Sequence, residues 1–209
     1  VGSLSAFGGS TNVDLDNKYI VLDISEMNEH LKALGMFIAL DFVWDKAKED
    51  RTVEKSIFID EIWQLLGSNS SESNHLAAEF TLEIFKVIRG YGGAAICASQ
   101  DISDFFALDD GKFGRGIINN ARTKIILNME TSEAENIREE LDLSEAEAMS
   151  ITRFERGTGL ISTNSNNLIV DFKASQLEKD LITTDRKDLQ ELKERLQKYG
   201  QQAYGKQTT

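Results

Sequence analysis

The chain has 209 residues, of which 41% are hydrophobic, so it can bury a sizeable core in one large domain, and global disorder is disfavoured. Its formal net charge of −12 argues against a protein whose whole surface binds nucleic acid, although a local basic patch or a pore shared between subunits stays open. One cysteine, Cys97, excludes an internal disulfide and favours a reducing compartment, and no secretory signal or membrane-spanning apolar run is present.

Strand and helix patterns alternate over the first hundred residues. In chain order they are a Gly/Ser/Asn/Asp-rich loop (1–18), a strand ending in Asp23 (18–23), a largely apolar helix capped by Ser25 (about 26–49), a strand (55–60), a helix through Leu76, Phe80, Ile84 and Val87, and a strand (94–99). A helix that is apolar almost all round is expected to be buried on several sides. The alternation favours an α/β fold with a mostly parallel sheet and helices on both faces.

The second half predicts shorter elements and a charged end. After an irregular to helical stretch come a strand (123–128), two acidic helices opened by the capping boxes Ser132–Glu135 and Ser144–Glu147, a hairpin formed by GTGLIST and NLIVDF, and an amphipathic helix through Leu189, Leu192, Leu196 and Tyr199. We expect residues 1–175 to form one domain and residues 176–209 to form a charged helical tail.

Polar side chains follow three of the predicted strands. Ligands of open α/β sheets bind beyond the carboxyl ends of the strands, where Asp23, Asp60, Glu61 and Gln100 fall. In SIFIDEIWQLL, Asp60 is placed to hold Mg²⁺ through a water, and Glu61 to polarise a water for attack on a γ-phosphate. The alternative is that these two acids only cap the helix that follows the strand.

Two further residues are candidates for the same chemistry. Gln100, after the strand ICAS, can hydrogen-bond the γ-phosphate or the attacking water, or it can be a turn residue. Arg89, at the end of the preceding helix, is either a solvated cation or an arginine finger that acts on a neighbouring subunit. Weaker candidates for the arginine finger are Arg115, Arg122 and Arg156.

A phosphate-binding loop of the form G-x-x-x-x-G-K-[ST] is absent from the sequence. FGGSTN (7–12) has glycines but no lysine, and the Gly-Lys of DDGKFGRG neither follows a strand nor precedes Ser or Thr. The chain begins without Met and has no proline, where an average use of about 5% would give around ten. Both features indicate a fragment of a longer protein.

Several segments together resemble the carboxyl-terminal half of the conjugative type IV secretion ATPases over roughly residues 1–184. They are SLSAFGGSTNVDLDNKYIVLDISEM, KSIFIDEIWQLL, VIRGYGGAAICASQDISDFF, IINNARTKIILNME and FERGTGLIST. The resemblance implies a RecA-like P-loop NTPase core related to FtsK and HerA, ATP with Mg²⁺, and hexamers. By position, Asp60 and Glu61 match the Walker B pair, Gln100 matches the sensor glutamine, and Arg89 matches the place of a trans-acting arginine.

The same resemblance implies how the chain is used. The parent protein would hydrolyse ATP to energise conjugative transfer, at the cytoplasmic face of the membrane, with the secretion channel and coupling proteins as partners and DNA as a further candidate. The Walker A segment would lie upstream of Val1, so the fragment alone is expected to be inactive and to leave an uncovered sheet position that invites self-association. Two alternatives stay open: a non-catalytic oligomerisation or partner-docking module, and a DNA-translocating coupling protein.

Overall fold

The computed structural model describes residues 17–66, 72–164 and 166–205. In chain order the helices and strands are α1 (Glu29–Glu49), β1 (Lys55–Ile59), α2 (Trp63–Leu66), α3 (Glu72–Val87), β2 (Gly93–Cys97), α4 (Lys112–Asn120), β3 (Thr123–Ile126), α5 (Thr131–Leu141), α6 (Glu145–Ile151), β4 (Thr158–Thr163), β5 (Asn166–Asp171), α7 (Gln176–Ile182) and α8 (Arg186–Gly205). Short 3₁₀ turns lie at Ile88–Tyr91, Ser103–Phe106 and Asp109–Gly111.

The described strands form two sheets. β1 and β2 pair in parallel, in a register that sets Lys55 opposite Gly93 and Ile59 opposite Cys97. β3, β4 and β5 form an antiparallel sheet in that order, and β4 and β5 are the predicted hairpin. The mixed α/β class is therefore confirmed, and parallel pairing joins the two strands whose ends carry the candidate site residues.

One hydrophobic core joins both sheets to the helices. Ile57 and Ile59 face it from β1, and Ile126 and Leu160 face it from the antiparallel sheet. Each such side chain contributes about 1.5–3 kcal/mol when it is fully withdrawn from water. The segment that follows β1 is especially well anchored, because Ile62, Leu65 and Leu66 are almost completely buried.

Helix α1 buries one apolar stripe most deeply. Its buried apolar side chains, Leu40, Trp44 and Ala47, recur at helical spacing and form a single stripe, while Ile38 is exposed. Gly35, on a different side of the helix, is also buried, and Leu34 and Phe42 are half-buried, so burial is not confined to this stripe. Apolar surface also stays open on both sheets. Phe58 of β1 is 72% exposed, and Ile125 and Leu168 face solvent on either side of Ile161 in one cross-strand row.

Residues 18–23 do not form the predicted buried strand. Tyr19 is 85% exposed and Val21 is 70% exposed, and no described strand pairs with this segment. A short apolar run becomes a strand only where its backbone groups find a ladder partner. Ser25 does not cap α1 either, since the helix begins at Glu29. The backbone N–H of Ser25 instead donates to Asp23 Oδ1 at 2.8 Å.

The two predicted capping boxes have different outcomes. Ser144 caps α6 as predicted: its hydroxyl accepts the N–H of Glu147, whose carboxylate accepts the N–H of Ser144 at 2.8 Å. The box predicted for Ser132 and Glu135 is wrong, because α5 already begins at Thr131 and places Ser132 inside its first turn. There the Glu133 carboxylate accepts the N–H of Glu130 at 3.4 Å.

The tail from residue 176 is helical and largely exposed. Helix α7 has no buried residue, and it is tied to α8 by an ion pair of 2.5 Å between Asp180 Oδ1 and Arg195 Nη2. None of the helices in the described ranges combines the length and the hydropathy that a membrane span requires.

Candidate functional site

The structure brings the carboxyl ends of β1 and β2 to the same edge of the parallel pair. Ile59, the last residue of β1, lies opposite Cys97, the last residue of β2. Asp60 and Glu61 directly follow β1, and Gln100 follows three residues after β2. Three of the four predicted site residues therefore belong to one edge of one sheet, where open α/β sheets bind their ligands.

The backbone carries one extra residue at the position of the two acids. The N–H of Ala98 donates to the carbonyl of Ile59 at 3.0 Å, as in a regular parallel ladder, but the carbonyl of Ala98 accepts the N–H of Ile62 at 3.1 Å. An unbroken ladder would deliver the N–H of residue 61 to that carbonyl. The chain therefore forms a bulge over Asp60 and Glu61 at the end of the ladder, before it turns into α2, and such bulges redirect side chains next to active sites.

Glu61 has an unusual backbone conformation within this bulge. Its φ is 50°, in the left-handed region that costs residues with a Cβ roughly 1–2 kcal/mol. The other described non-glycine residues with positive φ are all Asp or Asn, the two types that tolerate it best: Asp109, Asp110, Asp142 and Asn164. Glu61 alone among the described residues holds a longer side chain in this conformation, which is typical of a position constrained by function.

The carboxylate of Asp60 is exposed at the strand end. Its Oδ1 accepts the backbone N–H of Glu61 at 3.0 Å, which fixes the direction of the side chain. It forms no ion pair with any residue of the described ranges. The carboxylate is therefore available to an incoming cation or to a water bound to one.

The carboxylate of Glu61 is held by a residue that the sequence analysis missed. Gln64, on the first turn of α2, donates from Nε2 to Glu61 Oε2 at 2.5 Å. The other end of the same amide, Gln64 Oε1, is buried and finds no hydrogen-bond partner within residues 17–66, 72–164 and 166–205. The spacing of three residues between a strand-end acid and an amide on the following helix was the available signal, since residues three apart on a helical turn face each other.

These residues suit Mg²⁺ better than a metal with an all-protein cage. In the described part of the chain, no group of three or more His, Cys, Asp or Glu side chains is arranged to hold a metal ion. Mg²⁺ keeps several waters and takes one or two carboxylates together with substrate phosphates. An exposed carboxylate at Asp60 fits that pattern, whereas zinc would need several closely spaced protein ligands.

The segment after Gln100 is fixed by local hydrogen bonds, while Gln100 itself is exposed. The Ser99 hydroxyl donates to the Asp101 carbonyl at 3.1 Å, and the Ser103 N–H donates to Asp101 Oδ1 at 2.7 Å. Hydrogen bonds from Ser103 lower the pKa of the Asp101 carboxyl. Burial, together with a hydrogen bond to Asp101, raises the pKa of Glu133 on α5. The loop that follows β2 thus has its own hydrogen bonds, and the Glu133 side chain of α5 lies beside it.

Within one chain, Arg89 lies far from the other predicted site residues. It lies in the 3₁₀ turn Ile88–Tyr91 that leads into β2, whereas Gln100 lies beyond the opposite end of that strand. Five strand residues at about 3.3 Å each separate those two ends by more than about 13 Å. Arg89 is exposed and forms no ion pair with any described residue.

The weaker arginine candidates and Asp23 also lie apart from the acids. Arg115 is committed to Glu140 at 2.9 Å and stacks over the ring of Phe106. Arg122 precedes β3, and Arg156 precedes β4. Asp23 follows no strand, and hydrogen bonds from Ser25 lower the pKa of its carboxyl. Its predicted position at a strand end is therefore wrong.

The chain is similar to a known protein family and to solved structures. The family model of the TraG P-loop domain matches residues 7–207. The structure of VirB4 of Thermoanaerobacter pseudethanolicus is similar with a TM-score of 0.71 and 27% identity, covering 79% of this chain and 44% of that chain. B204, the DNA-packaging ATPase from Sulfolobus Turreted Icosahedral Virus, has a TM-score of 0.53 and 18% identity, covering 83% and 78% respectively. No curated protein matches the chain.

These matches differ in what they establish. At 18% identity the packaging ATPase shares only the fold. The VirB4 structure is similar in sequence as well, but this chain spans less than half of its length. The family model extends over nearly the whole chain, from residue 7 to residue 207.

Proposed function

Because the chain belongs to the family of TraG P-loop domains, we propose that it is part of an ATP-hydrolysing motor that energises conjugative transfer of DNA or protein through a type IV secretion system. The resemblance to the conjugative type IV secretion ATPases is confirmed by this family and by the similarity to VirB4. The chain spans 44% of the VirB4 structure, so the activity proposed is that of the whole motor.

The observation that carries the proposal is the bulged Asp60–Glu61 pair at the edge where β1 and β2 end together. When bound, Mg²⁺ would neutralise charge on the β- and γ-phosphate oxygens of ATP. Asp60 would hold a water of that ion, and Glu61 would accept a proton from the attacking water. Gln100 would donate from its side-chain amide to the γ-phosphate or orient the attacking water.

The residues that cradle the phosphates must come from outside this sequence, which has no Walker A motif. We therefore expect the 209-residue chain alone to be inactive and to bind nucleotide weakly. The open apolar surface around Phe58 on the parallel pair supports a missing neighbour of this kind. The same uncovered surface favours self-association of the isolated chain.

The position of Arg89 supports a role between subunits. It lies more than about 13 Å from the edge that carries Glu61, so it could reach a nucleotide only across an interface. We propose that Arg89 stabilises transition-state charge at the site of a neighbouring subunit, as arginine fingers do, within a homo-oligomer such as a hexamer.

We further propose the surroundings in which the motor works. Its partners would be the secretion channel and the coupling proteins, and it would lie in the cytoplasm at the periphery of the membrane. DNA is a candidate cargo. If the chain contacts DNA directly, it would act as a DNA-pumping coupling protein. The net charge of −12 makes any such contact a local one.

A second candidate function is a non-catalytic module for oligomerisation or partner docking. The observation that favours it is an apolar cross-strand row on the antiparallel sheet, in which Ile125 and Leu168 are exposed on either side of the half-buried Ile161. Exposed apolar patches on folded proteins often mark interaction surfaces. In this case Asp60 and Glu61 would only terminate β1 and cap α2.

Turnover of a longer protein separates the two functions. In a protein that carries this chain together with its Walker A segment, Glu61→Gln should lower the kcat for ATP by about a hundredfold or more and leave ATP binding intact. Glu83→Gln, at an exposed position of α3, is the matched control and should hydrolyse ATP normally. Equal turnover by Glu61→Gln and the unchanged protein would remove Glu61 from catalysis and leave the docking function.

A further inference from the structure

We propose that Gln64 is a positioning residue that orients Glu61 for proton abstraction, an inference that rests on the proposed ATPase function. Gln64 Nε2 donates to Glu61 Oε2 at 2.5 Å. A carboxylate can only accept hydrogen bonds, so the amide must present its NH₂ group to Glu61 and its oxygen to the other side. One carboxylate oxygen is thereby fixed, and the other is directed away from the amide.

Gln64 is itself held rigidly. Its backbone N–H donates to the carbonyl of Glu61 at 3.0 Å, which closes the turn between the two residues. Its neighbours Leu65 and Leu66 are almost completely buried, as is Ile62 on the other side of Trp63. The side chain therefore extends from a short helix that cannot move without disrupting the core. A hydrogen bond from such a support restricts the carboxylate more than one from a mobile surface residue would.

The other end of the amide argues against a purely structural role. Gln64 Oε1 is buried and has no hydrogen-bond partner among the residues that the structure describes. A buried acceptor left unpaired costs roughly 1–3 kcal/mol of folding free energy, and an apolar side chain of the same shape would avoid that cost. A residue kept only for stability would not be an amide here. Glutamine at position 64 is explained by what its NH₂ group does to Glu61.

The position of Gln64 relative to the bulge adds a second argument. The left-handed φ of Glu61 turns its side chain out of the regular strand direction. The backbone alone would leave the torsions along the Glu61 side chain free to rotate. The bulge and Gln64 thus restrain different parts of Glu61. The bulge sets the direction in which the side chain leaves the backbone, and Gln64 fixes the position of the carboxylate.

The proposal predicts that activity and stability respond in opposite directions to Gln64→Met, which keeps the length of the side chain and removes the amide. In the longer protein with its Walker A segment, kcat should fall about tenfold or more while KM for ATP stays within about twofold. In the 209-residue chain, the midpoint of urea unfolding should stay the same or rise. Gln64→Glu keeps the shape but replaces the donor with a carboxylate, and its kcat should fall at least as far.

A matched control is available on the tail. Gln176 Nε2 donates to Asp180 Oδ1 at 2.8 Å on exposed helix α7, so it forms the same kind of amide–carboxylate contact away from the strand ends. Gln176→Met should leave kcat and KM unchanged. A fall in kcat for this variant equal to that of Gln64→Met would overturn the proposal.

The outcomes separate this inference from the function on which it rests. If Glu61→Gln abolishes turnover but Gln64→Met leaves kcat unchanged, Gln64 is not a positioning residue and the ATPase function stands. If Gln64→Met lowers the unfolding midpoint and raises KM together with its loss of kcat, its role is structural and the inference is wrong. If Glu61→Gln turns over ATP as fast as the unchanged protein, both proposals fall.

Discussion

Gly114 of α4 lies directly against the carbonyl group of Phe105: a Cβ placed on Gly114 would stand 1.8 Å from that oxygen. No side chain fits this gap. Phe105 belongs to the 3₁₀ turn Ser103–Phe106, which follows Gln100 by three residues, and α4 leads on to β3. The close approach therefore holds the segment behind the candidate site against the helix that connects it to the antiparallel sheet.

Because of this close contact, one methyl group added at position 114 should strongly lower the stability of the chain. Gly114→Ala should lower the free energy of unfolding by at least about 2 kcal/mol, because the obstacle is backbone and cannot rotate away. Gly90→Ala is the matched control, since a Cβ there has no heavy atom within 4 Å. Urea unfolding of both variants, followed by circular dichroism, should show a lower midpoint only for Gly114→Ala. Equal midpoints would mean that α4 does not approach the turn this closely.

Gln100 is expected to affect turnover more than binding. In the longer protein, Gln100→Ala should reduce kcat by about a hundredfold, because it removes a donor that acts on charge developing in the transition state. The dissociation constant of a non-hydrolysable ATP analogue should change little. Gln190→Ala, on exposed helix α8, serves as the control. An unchanged kcat for Gln100→Ala would make Gln100 a turn residue.

The proposed action of Arg89 across an interface can be tested by mixing. Oligomers made only of Arg89→Ala or only of Glu61→Gln should both be inactive, since each lacks one part of every site. Mixed oligomers of the two variants should regain part of the activity, because some interfaces then combine an intact Arg89 with an intact Glu61. Lys86→Ala, on the exposed last turn of α3, is a control for charge alone. Full activity of the Arg89→Ala oligomer would exclude this residue as the arginine finger.

The capping box of α6 predicts a pH-dependent stability difference. Hydrogen bonds from Ser144 lower the pKa of Glu147 in the folded chain from its ordinary value of 4.5. A lowered folded pKa means that the stabilisation is complete above pH 4.5 and is lost as the pH falls through the folded value. Ser144→Ala should therefore cost about 1 kcal/mol at pH 7 and progressively less below pH 4.5. Ser132→Ala, which removes no cap, should change stability little at either pH.

The positions of the strands are the part of the fold that the sequence predicts well. β1, β2, β3 and the β4–β5 hairpin all lie where short apolar runs or turn residues indicate them. These runs have partners within the described residues, so local pattern and final structure agree. The segment 18–23 has a similar composition but pairs with none of the described strands, and a sequence pattern carries no information about whether a neighbouring strand is available.

The sequence indicates which residues belong to the candidate site but not how they are arranged. The positions of Asp60, Glu61 and Gln100 at one edge follow from parallel pairing, which the alternation of strands and helices indicates. The bulge over the two acids depends on a one-residue mismatch just beyond the paired residues of β1 and β2, which only the hydrogen bonds of Ala98 reveal. The spacing of three residues between Glu61 and Gln64 is visible in the sequence, but their contact forms only once the turn between them is made.

The left-handed backbone at Glu61 has a consequence for evolution and for engineering. Asparagine and glycine adopt this conformation more easily than glutamate does, so Glu61→Asn or Glu61→Gly should make the chain more resistant to urea than Glu61→Gln. Variants selected for robustness alone would thus tend to discard the acid. The proposed catalytic role of Glu61 would therefore carry a cost in folding stability, which these variants would remove together with the carboxylate.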